Sequence, residues 1–269
     1  MQVANIIQNL RSILSYHTSV GIDSYPAGED IDRFQSAEPE KRAVEKVSIV
    51  TPQVGRPQSR SVRPVQVKPA KVKAVVDPQV ALANIREEVS LCRGCSLNTS
   101  RTVAAAGGGG SRARMLIVGD WLVTEPGRQV PSGTVFGIEQ DRMLGKMLDA
   151  IQFPRDQVFV TNVIKCGVPG SCQPKAEHVR ACLSYLHRQI AVLEPEILLT
   201  MGMISTRTLL ERRETLSKLR GRLHTCKIPE GKTIPLIATY HPTYLLQNPE
   251  MKRATWYDLQ MLAKQLEKK

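Results

Sequence analysis

Four short apolar runs punctuate the second half of the chain: MLIV at 115–118, QVFVT at 157–161, ILLT at 197–200 and IPLIA at 234–238. Each is bounded by charge, glycine or proline. Around them, apolar residues recur at helical spacing over 82–92, 140–151, 175–193, 204–212 and 250–267. Strands alternating with helices predict an α/β domain whose mainly parallel sheet is covered by helices on both faces. In such sheets the loops at the strands' carboxyl ends build the site. Those loops carry Gly119-Asp120-Trp121, Asn162 to Cys166, Met201-Gly202 and Tyr240-His241-Pro242. They are expected to converge on one edge.

The first half reads differently. Val3, Ile6, Ile7, Leu10 and Leu14 fall on one side of a helical segment over 1–16, which SVGIDSYPAGED then ends with glycine and proline. Residues 35–82 are rich in Pro, Val and Lys, and such a stretch buries too little surface to offset its ordering entropy. The expected layout is an N-terminal helix and arm over 1–34, a disordered basic linker over 35–82, and a compact domain over 83–269. No apolar run approaches the roughly 18 residues of a membrane span, and the first residues lack the apolar stretch of a signal peptide. A cytoplasmic protein is expected. The net charge of +12 changes the picture further, because it favours a polyanionic partner.

Six cysteines are present, and in a reducing cytosol grouped cysteines suggest ligation rather than disulfides. Cys92 and Cys95 form a CxxC before the sheet begins; Cys166 follows the second run, and Cys182 lies sixteen residues later on a helix. Four thiolates from two separated pairs suit zinc or an iron–sulfur cluster, with four buried free thiols as the competing reading. Cys172 and Cys226 have no obvious partner. His241 opens HPTYLL at a strand's carboxyl end, a placement that favours function over a structural role. Asn162 in TNVIKC offers a donor and an acceptor together, suited to a base edge or to capping a loop. Phe136 in GTVFG is placed either to stack on a base or to fill the core.

Together these pieces resemble the uracil-DNA glycosylase superfamily, most closely its iron–sulfur, family 4-type branch, over about residues 88–266. LCRGCSLNTSRT is similar to the family's opening CxxC segment, TNVIKC to its ITNVVKC-like segment, and LSKLRGR to the segment before the last strand. HPTYLLQNPEMKRATWYDL is similar to its HPSYLLR…W.DL motif. The resemblance implies a three-layer α/β/α fold. It implies a [4Fe–4S] cluster held by Cys92, Cys95, Cys166 and Cys182, with zinc as the alternative. It implies DNA as partner and excision of uracil by hydrolysis of the N-glycosidic bond. Phe136 would stack on the extruded base, Asn162 would bond its Watson–Crick edge, and His241 would stabilise charge on the uracil oxygen. His224 and the basic residues around 218–222 would track the DNA backbone.

The first motif departs from the family. GEAPG-x-x-E-D is replaced by Gly119-Asp120-Trp121-Leu122-Val123, and GRPF by Gly133-Thr134-Val135-Phe136. Gly119 stays at the substrate edge, and Asp120 stands where the family has Glu, a carboxylate one methylene shorter placed to position water. Trp121 is bulky enough to fill the base pocket. These changes support a second expectation, a catalytically degenerate protein that serves DNA replication. HTSVGIDSYP, with Gly21, Ile22 and Tyr25, resembles the N-terminal peptide of the psi subunit of the bacterial clamp loader, so the arm would dock a replication protein. A zinc-bound DNA-binding domain is a third.

Overall fold

The computed structural model describes residues 77–267 apart from Pro126 and Glu230. The expected arm over 1–34 and most of the expected linker lie outside the described residues. The linker's last residues are helical: α1 spans Pro78–Leu91, four residues earlier than the periodicity indicates. Asp77 accepts the N–H of Gln79 and Pro78 occupies the first turn, a start signal that acts before the first apolar residue, Leu82.

The strands are β1 (Gly108–Gly109), β2 (Met115–Gly119), β3 (Val123–Thr124), β4 (Val158–Asn162), β5 (Val168–Pro169), β6 (Ile197–Met201), β7 (Leu223–Lys227) and β8 (Thr233–Thr239). The remaining helices are α2 (Leu97–Ser100), α3 (Ile138–Ala150), α4 (Ala176–Leu193), α5 (Met203–Leu210), α6 (Leu216–Leu219), α7 (Pro242–Gln247) and α8 (Lys252–Glu267). One sheet runs in the order β1-β4-β2-β6-β8-β7. Its four central strands are parallel, and β1 and β7 close the edges antiparallel. The central strands are the four apolar runs of the sequence. β2, β4 and β6 are buried at every position, as expected where both faces are covered.

Alternate residues of each strand feed two cores. Leu116, Val118, Phe159 and Leu198 pack against Leu186 and Ile190 of α4 and Leu209 of α5. Met115, Ile117, Val160 and Leu199 pack against Leu144 and Leu148 of α3 and Leu259 and Leu262 of α8. Each fully buried side chain of this kind stabilises the domain by about 1.5–3 kcal/mol. The observed architecture is thus the three-layer α/β/α sandwich with a mainly parallel sheet.

Register then fixes the working edge. Gly119 pairs with Asn162 on one side and Met201 on the other, and Met201 pairs with Thr239. The carboxyl ends of all four central strands therefore lie in one row. The chain leaves β2 toward β4 but leaves β6 toward β8, so the crevice of a reversed strand order opens at Gly119.

Candidate active site

Gly119, Phe136, Asn162 and His241 meet at this row. Gly119 has no room for a side chain: an added Cβ would strike the Phe136 ring and Oδ1 of Asn162. Phe136, only 2% exposed, belongs to the core on the α3–α8 face. Asp141, in the first turn of α3, holds it there by accepting the N–H groups of Val135 (2.9 Å) and Phe136 (3.0 Å). The Phe136 and His241 rings lie 4.8 Å apart, inclined at 58°. Asn162, with no exposed surface, donates from Nδ2 to the Val135 carbonyl at 2.6 Å. Capping that loop uses only the amide nitrogen.

His241 is the N-cap of α7, and Nδ1 accepts the backbone N–H of Thr243 at 3.2 Å. A backbone N–H only donates, so Nδ1 is unprotonated and the proton of the neutral ring sits on Nε2. Burial pulls the imidazole down to about 4, which keeps it neutral near pH 7. Nε2 is buried without a partner, and so is Oδ1 of Asn162. Buried polar atoms are rarely left unpaired. Among the described residues only three are, and two of them stand here, one donor and one acceptor.

Asp120 leaves the same strand end but turns toward α5. Its Oδ1 accepts the N–H of Ser205 at 2.7 Å, and the N–H groups of Ile204 and Met203 also favour its charged form. Burial outweighs them and raises the carboxyl to about 6. The carboxylate occupies the space a Cβ would need at Gly202, whose φ of +112° also favours glycine. Trp121 is half-buried and packs against the core on the α4–α5 face, opposite the face that holds Phe136. The ring in contact with His241 is Phe136, not Trp121.

Sequence reasoning missed the support behind His241. Asp258 of α8, fully buried, accepts from Thr239 Oγ1 (2.7 Å), Arg220 Nε (3.0 Å) and the Gly221 N–H (3.0 Å). Arg220 also donates to the Ala254 carbonyl and lies 5.2 Å from the centre of the Tyr240 ring. Two strand-end residues directly before His241 are thereby fixed. The expected DNA-facing role of this stretch is corrected accordingly. Arg220 is committed to an internal ion pair and His224 Nε2 to the Leu219 carbonyl, while Lys218 and Arg222 stay exposed.

Of the four cysteines, Cys92 and Cys95 follow α1, Cys166 follows β4, and Cys182 lies on α4. Cys166 and Cys182 are buried, Cys92 and Cys95 half-buried, and none of the four is in a disulfide. Cys95 and Cys92 both act electrostatically on Cys166, and Cys166 and Cys95 on Cys182. Burial pushes Cys182 up to about 11. The Gly94 N–H points at Cys92 Sγ (3.4 Å) and Arg101 Nη1 lies 3.7 Å from Cys166 Sγ. Among the described residues no group of three or more His, Cys, Asp or Glu is gathered to hold a single metal ion. Lys165, between Asn162 and this group, is 1% exposed. Its Nζ donates to Thr161 Oγ1 and Gln189 Oε1, each at 2.6 Å.

Comparison with known proteins agrees with this arrangement. The family model for the uracil DNA glycosylase superfamily matches residues 106–260. The type-4 uracil-DNA glycosylase of Sulfurisphaera tokodaii is 35% identical over 179 residues, 64% of this chain and 79% of that protein. That of Pyrobaculum aerophilum is 32% identical over 185 residues, 67% of this chain and 92% of that protein. That of Thermotoga maritima is 29% identical over 179 residues, 65% of this chain and 90% of that protein. The matched span runs from the strand beside the cysteines through the Gly119, Asn162 and His241 edge to α8. With that edge and that span coinciding, the chain belongs to the uracil DNA glycosylase superfamily.

Proposed function

We propose that the protein removes uracil from DNA by hydrolysing its N-glycosidic bond, as the first step of base-excision repair. The observation that carries this reading is the unpartnered pair at the strand edge, Asn162 Oδ1 and His241 Nε2–H. A buried acceptor beside a buried donor complements an N–H flanked by a carbonyl, which is the N3–H and C2=O edge of uracil. The base must leave the stack to reach them, and Phe136 supplies a ring on that edge for it to lie against. As the glycosidic bond breaks, the electron pair goes to the base and negative charge gathers on the uracil oxygen. The Nε2–H of neutral His241 donates to that oxygen in a site closed to water, where such a bond counts most. Water then adds to the sugar carbon and gives up a proton, which neutralises the departing uracil anion and leaves an abasic site. Asp120 lies at the same strand end, and its charge favours the cationic sugar. Trp121 on the opposite face leaves the altered first motif compatible with activity.

Cys92, Cys95, Cys166 and Cys182 are assigned to a [4Fe–4S] cluster. Four cysteine thiolates are a donor set that suits an iron–sulfur cluster, with zinc as the alternative. Holding such a cluster, these residues would tie the segment after α1 and the chain after β4 to α4. DNA would meet a groove of about 310 Å³ between α3, α7 and α8, where Arg142, Lys146 and Lys252 border exposed Leu246 and Trp256. Among the described residues no helix is long and apolar enough to cross a membrane, and work on DNA fits the expected cytoplasmic location. The arm at 1–34 is assigned to docking a replication protein on its HTSVGIDSYP segment. Clamp-loader subunits recovered by the full chain, but not by one lacking residues 1–30, would support that assignment.

The deciding assay is uracil release from single-stranded and U:G duplex DNA by wild type, His241→Ala and Asn162→Ala. Release by wild type that is lost in both variants is expected. A wild-type protein without activity would overturn the reading in favour of the degenerate, interaction-only alternative.

A further inference from the structure

A buried lysine is ordinarily paired with a carboxylate, because an isolated ammonium loses several kcal/mol of hydration. Lys165 has no such partner among the described residues. Both oxygens that accept from its Nζ are neutral, Thr161 Oγ1 and Gln189 Oε1. Neither can be exchanged for a better one, since Gln189 Nε2 is bonded to the Ala106 carbonyl and Thr161 Oγ1 lies 3.2 Å from the same oxygen. Lys165 directly precedes Cys166 in the chain, and its backbone N–H bonds Cys182. A second cation, Arg101, approaches Cys166, with Nη1 3.7 Å from Sγ. Lys165 and Arg101 thus each adjoin one or more of the four cysteines, and neither is hydrogen-bonded to a carboxylate among the described residues. An arrangement of this kind is incomplete without an anion, and an iron–sulfur core held by four thiolates is a net anion.

We propose that Lys165 is the buried counter-charge of the cluster, placed to hold the anionic group in the domain and to raise its reduction potential. This rests on the assignment of the four cysteines to a [4Fe–4S] cluster, and it is independent of whether uracil is excised. The sign follows from charge: reduction adds an electron to an anion, and a nearby cation favours the more negative, reduced form. The competing role is that of a neutral donor that only ties Thr161 to Gln189.

Two variants of the full-length holoprotein separate these roles. Lys165→Met removes charge and donors together; Lys165→Gln removes the charge but keeps an amide that can donate to Thr161. Dye-mediated reductive titration reads the potential, and iron release to a chelator in air reads retention. A counter-charge predicts that both variants lower the reduced-to-oxidised ratio at fixed poise by about tenfold or more, 59 mV for a one-electron couple. It also predicts faster iron loss from both. Should Lys165→Met not fold, Lys165→Gln decides alone. Lys165→Gln with the potential and iron retention of wild type would overturn the proposal. A wild-type protein that carries no iron would sink the cluster assignment and this inference with it. Iron present in all three proteins at one potential would sink this inference alone.

Discussion

Two buried polar assemblies flank the carboxyl end of β8, and they are built to opposite rules. Around Asp258 both carboxylate oxygens are filled, by Arg220, Gly221 and Thr239. Two residues beyond Thr239, His241 keeps an unpartnered Nε2, and on β4 Asn162 keeps an unpartnered Oδ1. Burial is alike in the two places, so burial alone does not mark a site. What differs is satisfaction. A filled network fixes the strand end; an unfilled pair costs about 1–3 kcal/mol per group in the free protein, a cost offset when a ligand brings the missing partners. The first assembly makes the second one possible, because orphaned atoms would otherwise relax toward water or each other.

The comparison breaks most visibly at Asp258. Asp258→Ala leaves Arg220 poorly paired in a mostly buried position, and breaking such a pair costs about 3–5 kcal/mol. Urea unfolding of the two proteins measures it. A variant as stable as wild type would show that the network does not fix the strand end. His241→Ala is expected to do the reverse: excision falls by about 10²–10³-fold, the loss typical of one donor to a developing oxyanion, while unfolding shifts by about 1 kcal/mol or less, within a single net hydrogen bond. If His241→Ala destabilised the fold as Asp258→Ala does, the distinction between scaffold and site would collapse. Thr239→Val sits between them, removing the 2.7 Å bond to Asp258. It should cost about 1 kcal/mol and slow excision only a few-fold, read from the same two measurements.

Much of the frame was legible beforehand, and the reasons are particular. The four apolar runs became the four parallel strands because full burial leaves an uninterrupted apolar signature. Each reaches one residue further at its carboxyl end, where Gly119, Asn162, Met201 and Thr239 pair in register and only Met201 is strongly apolar. The edge strand β7 was not legible: LHTCK alternates, and only Cys226 of its five residues is buried. Gly119, Asn162 and His241 could be placed on one edge by strand order alone. Asp120 could not, since its bond to Ser205 depends on β2 lying beside β6, eighty-five positions apart in sequence at that contact. Asp258 and Lys165 look like surface charges in a sequence. Their burial follows from which helix packs on which face, and no local pattern encodes that.

A further test concerns the site's electrostatics. Burial raises Asp120 to about 6 and pulls His241 down to about 4. Between pH 5 and 8 the imidazole therefore stays neutral, and Asp120 is the group at this strand end that changes charge. It is a carboxylate above about pH 6 and a neutral acid below. If its charge favours the cationic sugar, single-turnover excision rises through pH 6 and is level above it. At pH 5 about a tenth of Asp120 remains ionised, which limits the fall to about tenfold. Asp120→Asn should give a flat profile near the low-pH rate. An inflection that survives in Asp120→Asn would assign the ionisation to another group. A rate that declines above pH 6 in both proteins would mean that His241 acts as an imidazolium, and the neutral Nε2–H donor at the centre of the site would have to be given up.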